Sequence, residues 1–226
     1  MKYPYLLFDA DNTLFDFDAA EKNAHRLVCE KHDLAFTEEG YALYRRCNAQ
    51  LWQDFDRGLC TKEFLLVERF RRYLSLAGEE ADPEKLNRDH LRALGESAVL
   101  LPGAEELCRH LAREHELYLV TNAVESVQRA RFERSAIRPY FRGAFISEAV
   151  GCGKPSPAYF EYIFRAVPGL TAANGLVIGD SLTSDIQGAN NAGLACCWFN
   201  PRGLPRPDGL RIDYEVRTLE EIAEIV

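Results

Sequence analysis

Two aspartates two positions apart, Asp9 and Asp11, stand at the end of the apolar run YLLFD (5–9). In an extended segment positions i and i+2 face the same side, so both carboxylates point into one space. Other apolar runs are punctuated similarly. Thr121 and Asn122 end LYLVTN (117–122), Lys154 follows GAFIS (143–147) within GCGKPS, and Asp180 ends GLVIGD (175–180). Taken singly, each has an ordinary structural explanation: a turn or helix cap for Asp-x-Asp, a satisfied strand-end hydroxyl for Thr121, a solvated loop charge for Lys154. Taken together they suggest chemistry. Clustered carboxylates raise one another's pKa and burial adds a desolvation cost, a conflict that a bound cation resolves. Oxygen donors with no histidine nearby favour a hard ion, Mg²⁺.

These residues can meet only if their segments are strands of one sheet. The runs are continuously apolar rather than alternating, which is the pattern of strands buried on both faces of a parallel sheet. ACCWF (195–199) is a fifth candidate strand. Helical stretches separate the later runs: GAEELCRHLARE (103–114), ESVQRARFERS (125–135), SPAYFEYIFRAV (156–167) and SDIQGANNAG (184–193). Alternation of this kind predicts a doubly wound α/β fold, in which ligands bind beyond the carboxyl ends of the strands. Asp9, Asp11, Thr121, Lys154 and Asp180 are therefore expected to converge. The stretch from 16 to 95 instead carries apolar residues at helical spacing, among them Ala20, Ala24, Leu27, Val28, Tyr44, Leu51, Phe64, Val67, Phe70 and Leu74. It is expected to form a helical insertion placed as a lid, leaving 1–15 and 96–226 as the catalytic core. Trp52, Phe55, Arg57, Arg69 and Arg72 of the insertion could contact a nucleobase or only pack helices, and the turn DRGLCT (56–61) is the place where Arg57 could reach a site.

Four motifs in order carry a resemblance to a known family. FDADNTLF, LVTN, GKPSP and GDSLTSD resemble the nucleophile, Ser/Thr, lysine and acidic motifs of the haloacid dehalogenase-like (HAD) superfamily, in its helical-cap subfamily. LFDFDAAE (14–21) and the long match over 179–201 resemble its pyrimidine 5'-nucleotidase branch. The resemblance implies a Rossmann-like core and a Mg²⁺-dependent phosphomonoesterase. In that scheme Asp9 is the nucleophile that forms an aspartyl phosphate, and Asp11 is the general acid and base. Thr121, Asn122 and Lys154 bind the phosphate. Asp9, Asp180 and the main-chain carbonyl of Asp11 hold the metal, with Asp185 in support. A phosphomutase or a sugar-phosphate phosphatase of the same superfamily would use the same two aspartates. A dehalogenase would leave Asp11 without a task, and a non-catalytic binding module would not need the full set.

Bulk composition narrows the partners. Lys and Arg number 27 against 35 Asp and Glu, a formal charge of −8, which argues against nucleic acid polymers and anionic membranes while leaving room for a small phosphate ester such as a nucleotide. The seven cysteines show no zinc-like spacing and fit a reducing, cytoplasmic setting. GCGKPS lacks the second glycine of a P-loop and the third of a dinucleotide fingerprint. His25, His32, His90, His110 and His115 fall in expected helices away from every motif, so neither a Ser-His-Asp triad nor a zinc site is expected.

Overall fold

The computed structural model describes residues 2–226, which form two compact units: 2–17 with 98–226, and 18–97. The chain starts with strand β1 (Tyr5–Phe8) and then runs through four helices, α1 (Phe17–Lys31), α2 (Glu38–Asp56), α3 (Lys62–Ala77) and α4 (Pro83–Glu96). Their boundaries follow capping chemistry. The Thr37 hydroxyl accepts from the Gly40 N–H at 3.0 Å, the Thr61 hydroxyl from the Phe64 N–H at 3.3 Å, and Asp82 caps α4 with Pro83 at its first turn. Gly78 ends α3 in the left-handed conformation that glycine adopts without cost. Inside this helical unit Val28, Tyr44, Phe70, Tyr73, Leu74 and Leu86 pack as one cluster. Leu27 and Phe64, expected on the buried stripe, are exposed.

After residue 97 the rhythm changes to strands and helices in turn: α5 (Ala104–Leu111), β2 (Glu116–Thr121), α6 (Glu125–Arg134), β3 (Phe141–Ile146), α7 (Ser147–Val150), α8 (Pro157–Ala166), β4 (Gly175–Gly179), α9 (Gln187–Asn191), β5 (Ala195–Phe199), β6 (Tyr214–Val216) and α10 (Ile222–Ile225). All pairings are parallel and the order across the sheet is β3-β2-β1-β4-β5-β6. This is the doubly wound order, and its direction of winding reverses between β1 and β4, where a crevice opens beyond the strand ends. Leu6 and Phe8 of β1 join one core cluster with Leu117, Leu119, Leu176 and Ile178, while Leu7 joins Val120, Val177, Tyr159 and Trp198 on the opposite face. Both faces are thus covered, which is why the strands read as unbroken apolar runs.

Some elements depart from expectation. Strand β6 was not anticipated, the helix expected over 103–114 stops at Leu111, and the one expected over 184–193 is a π-helical turn (Leu182–Ile186) followed by the short α9. His32 and His115 lie just beyond helix ends, and His115 donates through Nδ1 to the Tyr3 carbonyl at 2.7 Å. No helix among the described residues is long and apolar enough to cross a membrane.

Candidate active site

The end of β1 delivers Asp9 to the crevice, where its N–H donates to the Ile178 carbonyl at 2.8 Å and so ties it to the end of strand β4. Asp180 follows β4 directly, and Asp185 returns from the π-helical turn. Carboxylate oxygens of Asp9, Asp180 and Asp185 lie within 4.8 Å of one another. Lys154 comes from the loop after α7; its ammonium is buried and donates to Asp9 Oδ1 at 2.6 Å, Asp185 Oδ1 at 2.6 Å and the Val120 carbonyl at 2.8 Å. An ammonium has three donors, and all three are committed here. A phosphate contact of the kind expected of Lys154 would therefore be made through its charge rather than through a free N–H.

The electrostatic balance is incomplete. Burial, Asp185 and Asp180 push the Asp9 carboxyl well above its ordinary range, against the opposing effect of Lys154. Burial and then Asp185 push Asp180 up to about 7. Burial disfavours the charge on Lys154, yet Asp185 and Asp9 more than offset this and keep it firmly protonated. Three carboxylates facing one ammonium leave negative charge that only protons or a cation can neutralise. The donor set is carboxylate oxygen throughout, so the site fits a hard divalent ion.

Close approach of the chain makes this geometry possible. A Cβ on Gly179 would collide with the Asp185 carboxylate, and one on Gly153 would collide with Asn122 Oδ1 and the Ser147 side chain. Asn122, expected at the phosphate, has its side-chain amide committed to the lysine loop: Nδ2 donates to the Lys154 carbonyl at 2.7 Å and Oδ1 accepts from the Lys154 N–H at 2.9 Å. Thr121 is buried at the end of β2, and its N–H donates to the Tyr159 hydroxyl at 3.1 Å, which in turn donates to the Phe145 carbonyl at 2.5 Å. Asp185 uses its second oxygen to accept from the Ser181 N–H at 3.0 Å. The Asp11 side chain stands outside the group of three: its Oδ1 accepts from Arg131 at 2.5 Å.

Three participants were not foreseen. Arg131 pairs with Asp11, Tyr159 bridges β2 and β3, and the Trp198 indole N–H donates to the Asp180 carbonyl at 3.0 Å, fixing the turn that carries the carboxylate. The buried stripe of α6 is Val127, Gln128, Arg131 and Phe132, so polar residues occupy core-facing positions that no apolar pattern in the sequence marks. Of the insertion residues singled out above, Arg69 is buried among the helices of its own unit, bonding Asn48, Asn87 and the Leu66 carbonyl, and Trp52 packs edge-on against Phe55. Arg57 is exposed at the end of α2.

Comparison with known proteins agrees with this architecture. HAD-hydrolase YfnB of Bacillus subtilis is 40% identical over 225 residues, which cover 100% of this chain and 96% of that protein. Its magnesium-bound crystal structure superposes with a TM-score of 0.96, covering 100% and 99% of the two chains. Pyrimidine 5'-nucleotidase PynA of Streptococcus pneumoniae is 36% identical over 99% of this chain and 95% of its own. For pyrimidine 5'-nucleotidase YjjG of Escherichia coli the figures are 33%, 100% and 99%. L-2-haloacid dehalogenase from Xanthobacter autotrophicus shares the fold at a TM-score of 0.76 and 17% identity, over 99% and 98% of the chains. The family model for haloacid dehalogenase-like hydrolases matches residues 3–193, and the chain belongs to that family.

Proposed function

We propose that this protein is a Mg²⁺-dependent phosphomonoester hydrolase that acts on nucleoside 5'-monophosphates through a phosphorylated Asp9. The observation that carries the reading is the excess of buried carboxylate over ammonium around Asp9 at the switch point of the sheet. Whole-length relatives named as pyrimidine 5'-nucleotidases support the substrate class.

In this reading an Asp9 oxygen attacks phosphorus, the ester P–O bond breaks, and Asp11 gives a proton to the leaving oxygen. Water then attacks the aspartyl phosphate, Asp11 takes its proton, and the acyl phosphate bond breaks to release inorganic phosphate. Splitting the displacement in two lets one carboxyl serve as acid and then as base. Lys154 keeps the Asp9 carboxylate ionised and aimed, Asn122 holds the lysine loop, and Thr121 supplies a donor to the phosphate oxygens. Asp9, Asp180 and the Asp11 carbonyl would hold the ion, with Asp185 behind them, and when bound it would neutralise phosphate oxygens and favour in-line attack.

Phosphate release from a panel of mononucleotides and sugar phosphates, with and without Mg²⁺, tests this. Pyrimidine monophosphates are expected to lead, with no release in the absence of a divalent ion. Preference for a sugar phosphate by a wide margin would remove the nucleotidase assignment, and return of the phosphoryl group to a second sugar hydroxyl would identify a mutase.

A further inference from the structure

Arg131 is a fully buried guanidinium in a helix whose other arginines, Arg129 and Arg134, are exposed. Nη1 carries two hydrogens, and the structure gives it two acceptors: Asp11 Oδ1 at 2.5 Å and Gln128 Oε1 at 3.1 Å. The guanidinium also lies over two rings of the segment that follows Asp11, with centroids of Phe15 and Phe17 at 4.7 and 5.7 Å. Burying such a cation is unfavourable unless it is paired and held, so its placement commits the chain to one geometry. The carboxylate it meets is Asp11, and none of the three clustered around Lys154.

We propose that Arg131 is a positioning residue that holds the Asp11 carboxyl by Oδ1 and so dictates that its transferable proton is carried on Oδ2. The chemistry is that of the donor. A guanidinium donates and never accepts, so Oδ1 must present a lone pair to Nη1 and any carboxyl proton resides on the other oxygen. When the ester bond breaks, that proton passes from Oδ2 to the leaving oxygen and Arg131 keeps its own. The rings of Phe15 and Phe17 and the amide of Gln128 keep the guanidinium from following other acceptors. This assignment rests on the phosphatase reading, because it gives Arg131 a task only if Asp11 transfers protons.

The test compares Arg131→Gln and Arg131→Lys with the wild type on p-nitrophenyl phosphate, whose anion leaves without a proton, and on phenyl phosphate and a nucleoside monophosphate, which need one. Arg131→Gln is expected to slow the latter two by about 100-fold or more. With p-nitrophenyl phosphate the first turnover should stay within about 10-fold of wild type and appear as a burst, because the water step still lacks its oriented base. Arg131→Lys should recover part of the phenyl phosphate rate. Equal loss on all three substrates without a burst, in a variant whose circular dichroism and thermal unfolding match wild type, would overturn the assignment. If Arg131→Gln does not fold, Arg131→Lys decides alone: a smaller loss graded by leaving group supports the assignment, whereas a uniform loss or none overturns it. A wild-type enzyme that hydrolyses no phosphate ester sinks the phosphatase reading and this assignment with it; an active wild type with an ungraded Arg131 effect sinks the assignment only.

Discussion

Two clusters of buried charge among the described residues, one in each unit, are built differently. Within the helical unit Glu21 accepts from Asn48 Nδ2 at 2.7 Å, Asn48 Oδ1 accepts from Arg69 at 3.1 Å, and Arg69 reaches Asn87 at 3.0 Å. His25, stacked on Tyr44 at 4.5 Å between ring centres, is pushed down to about 4 by burial and then by Arg69, and burial holds His90 well below its usual value, so both rings are neutral. One carboxylate faces one guanidinium and the charges balance. Around Asp9 three carboxylates face one ammonium. Buried polar groups that balance among themselves are architecture, whereas a cluster that cannot balance without an added cation is a place where something binds.

Perturbing each cluster should expose that difference. Replacing Asp9 by Asn is expected to cut turnover by at least about 10⁴-fold while the fold survives, and a variant with near-normal rate would remove Asp9 as nucleophile. Chelation of divalent ions should abolish activity and reveal the charge excess as a pH dependence of stability. The folded-state pKa of Asp180 is raised to about 7 from 3.8, so its contribution is fully present below about pH 4 and is lost as pH rises to 7. Thermal unfolding of the chelated protein should therefore occur at lower temperature at pH 8 than at pH 5, and added Mg²⁺ should shrink that difference; an unchanged difference would argue against a cation among these carboxylates. Lys154→Met strips the ammonium from two buried carboxylates and should cost about 3–5 kcal/mol in denaturant unfolding of the metal-free protein. The smallest effect belongs to the balanced cluster. Burial raises the Glu21 pKa to about 7 from 4.5 against the pull of Arg69, so its stability contribution falls over that window as pH rises. Glu21→Gln should leave stability at pH 4 nearly unchanged and raise it at pH 8 by roughly 1–3 kcal/mol without altering turnover, the upper figure being the full shift.

The sheet and the residues at its rim were legible because one physical rule links them. A strand buried on both faces must be apolar throughout, so the first polar residue after it marks the strand's end, and parallel strands place all such ends together. Asp9, Thr121 and Asp180 were readable on that basis. Arg131 was not, because ESVQRARFERS is rich in charge and its helix shows no apolar face from which burial could be read. Strand β6 was hidden by its three-residue length and by the Pro/Gly loop before it. The double clasp between Asn122 and Lys154 joins two loops, and no local spacing announces a contact of that kind.

The central placement of β1 has a consequence for how the protein comes into being. Tyr5 pairs with Glu116 on one side and Gly175 on the other, and Asp9 meets Lys154 across 145 positions. During synthesis the ribosome therefore releases Asp9 early and its neighbours last. A nascent polypeptide cut short before β4 carries Asp9 without Asp180 or Asp185, so the carboxylate cluster should assemble only near the completion of translation.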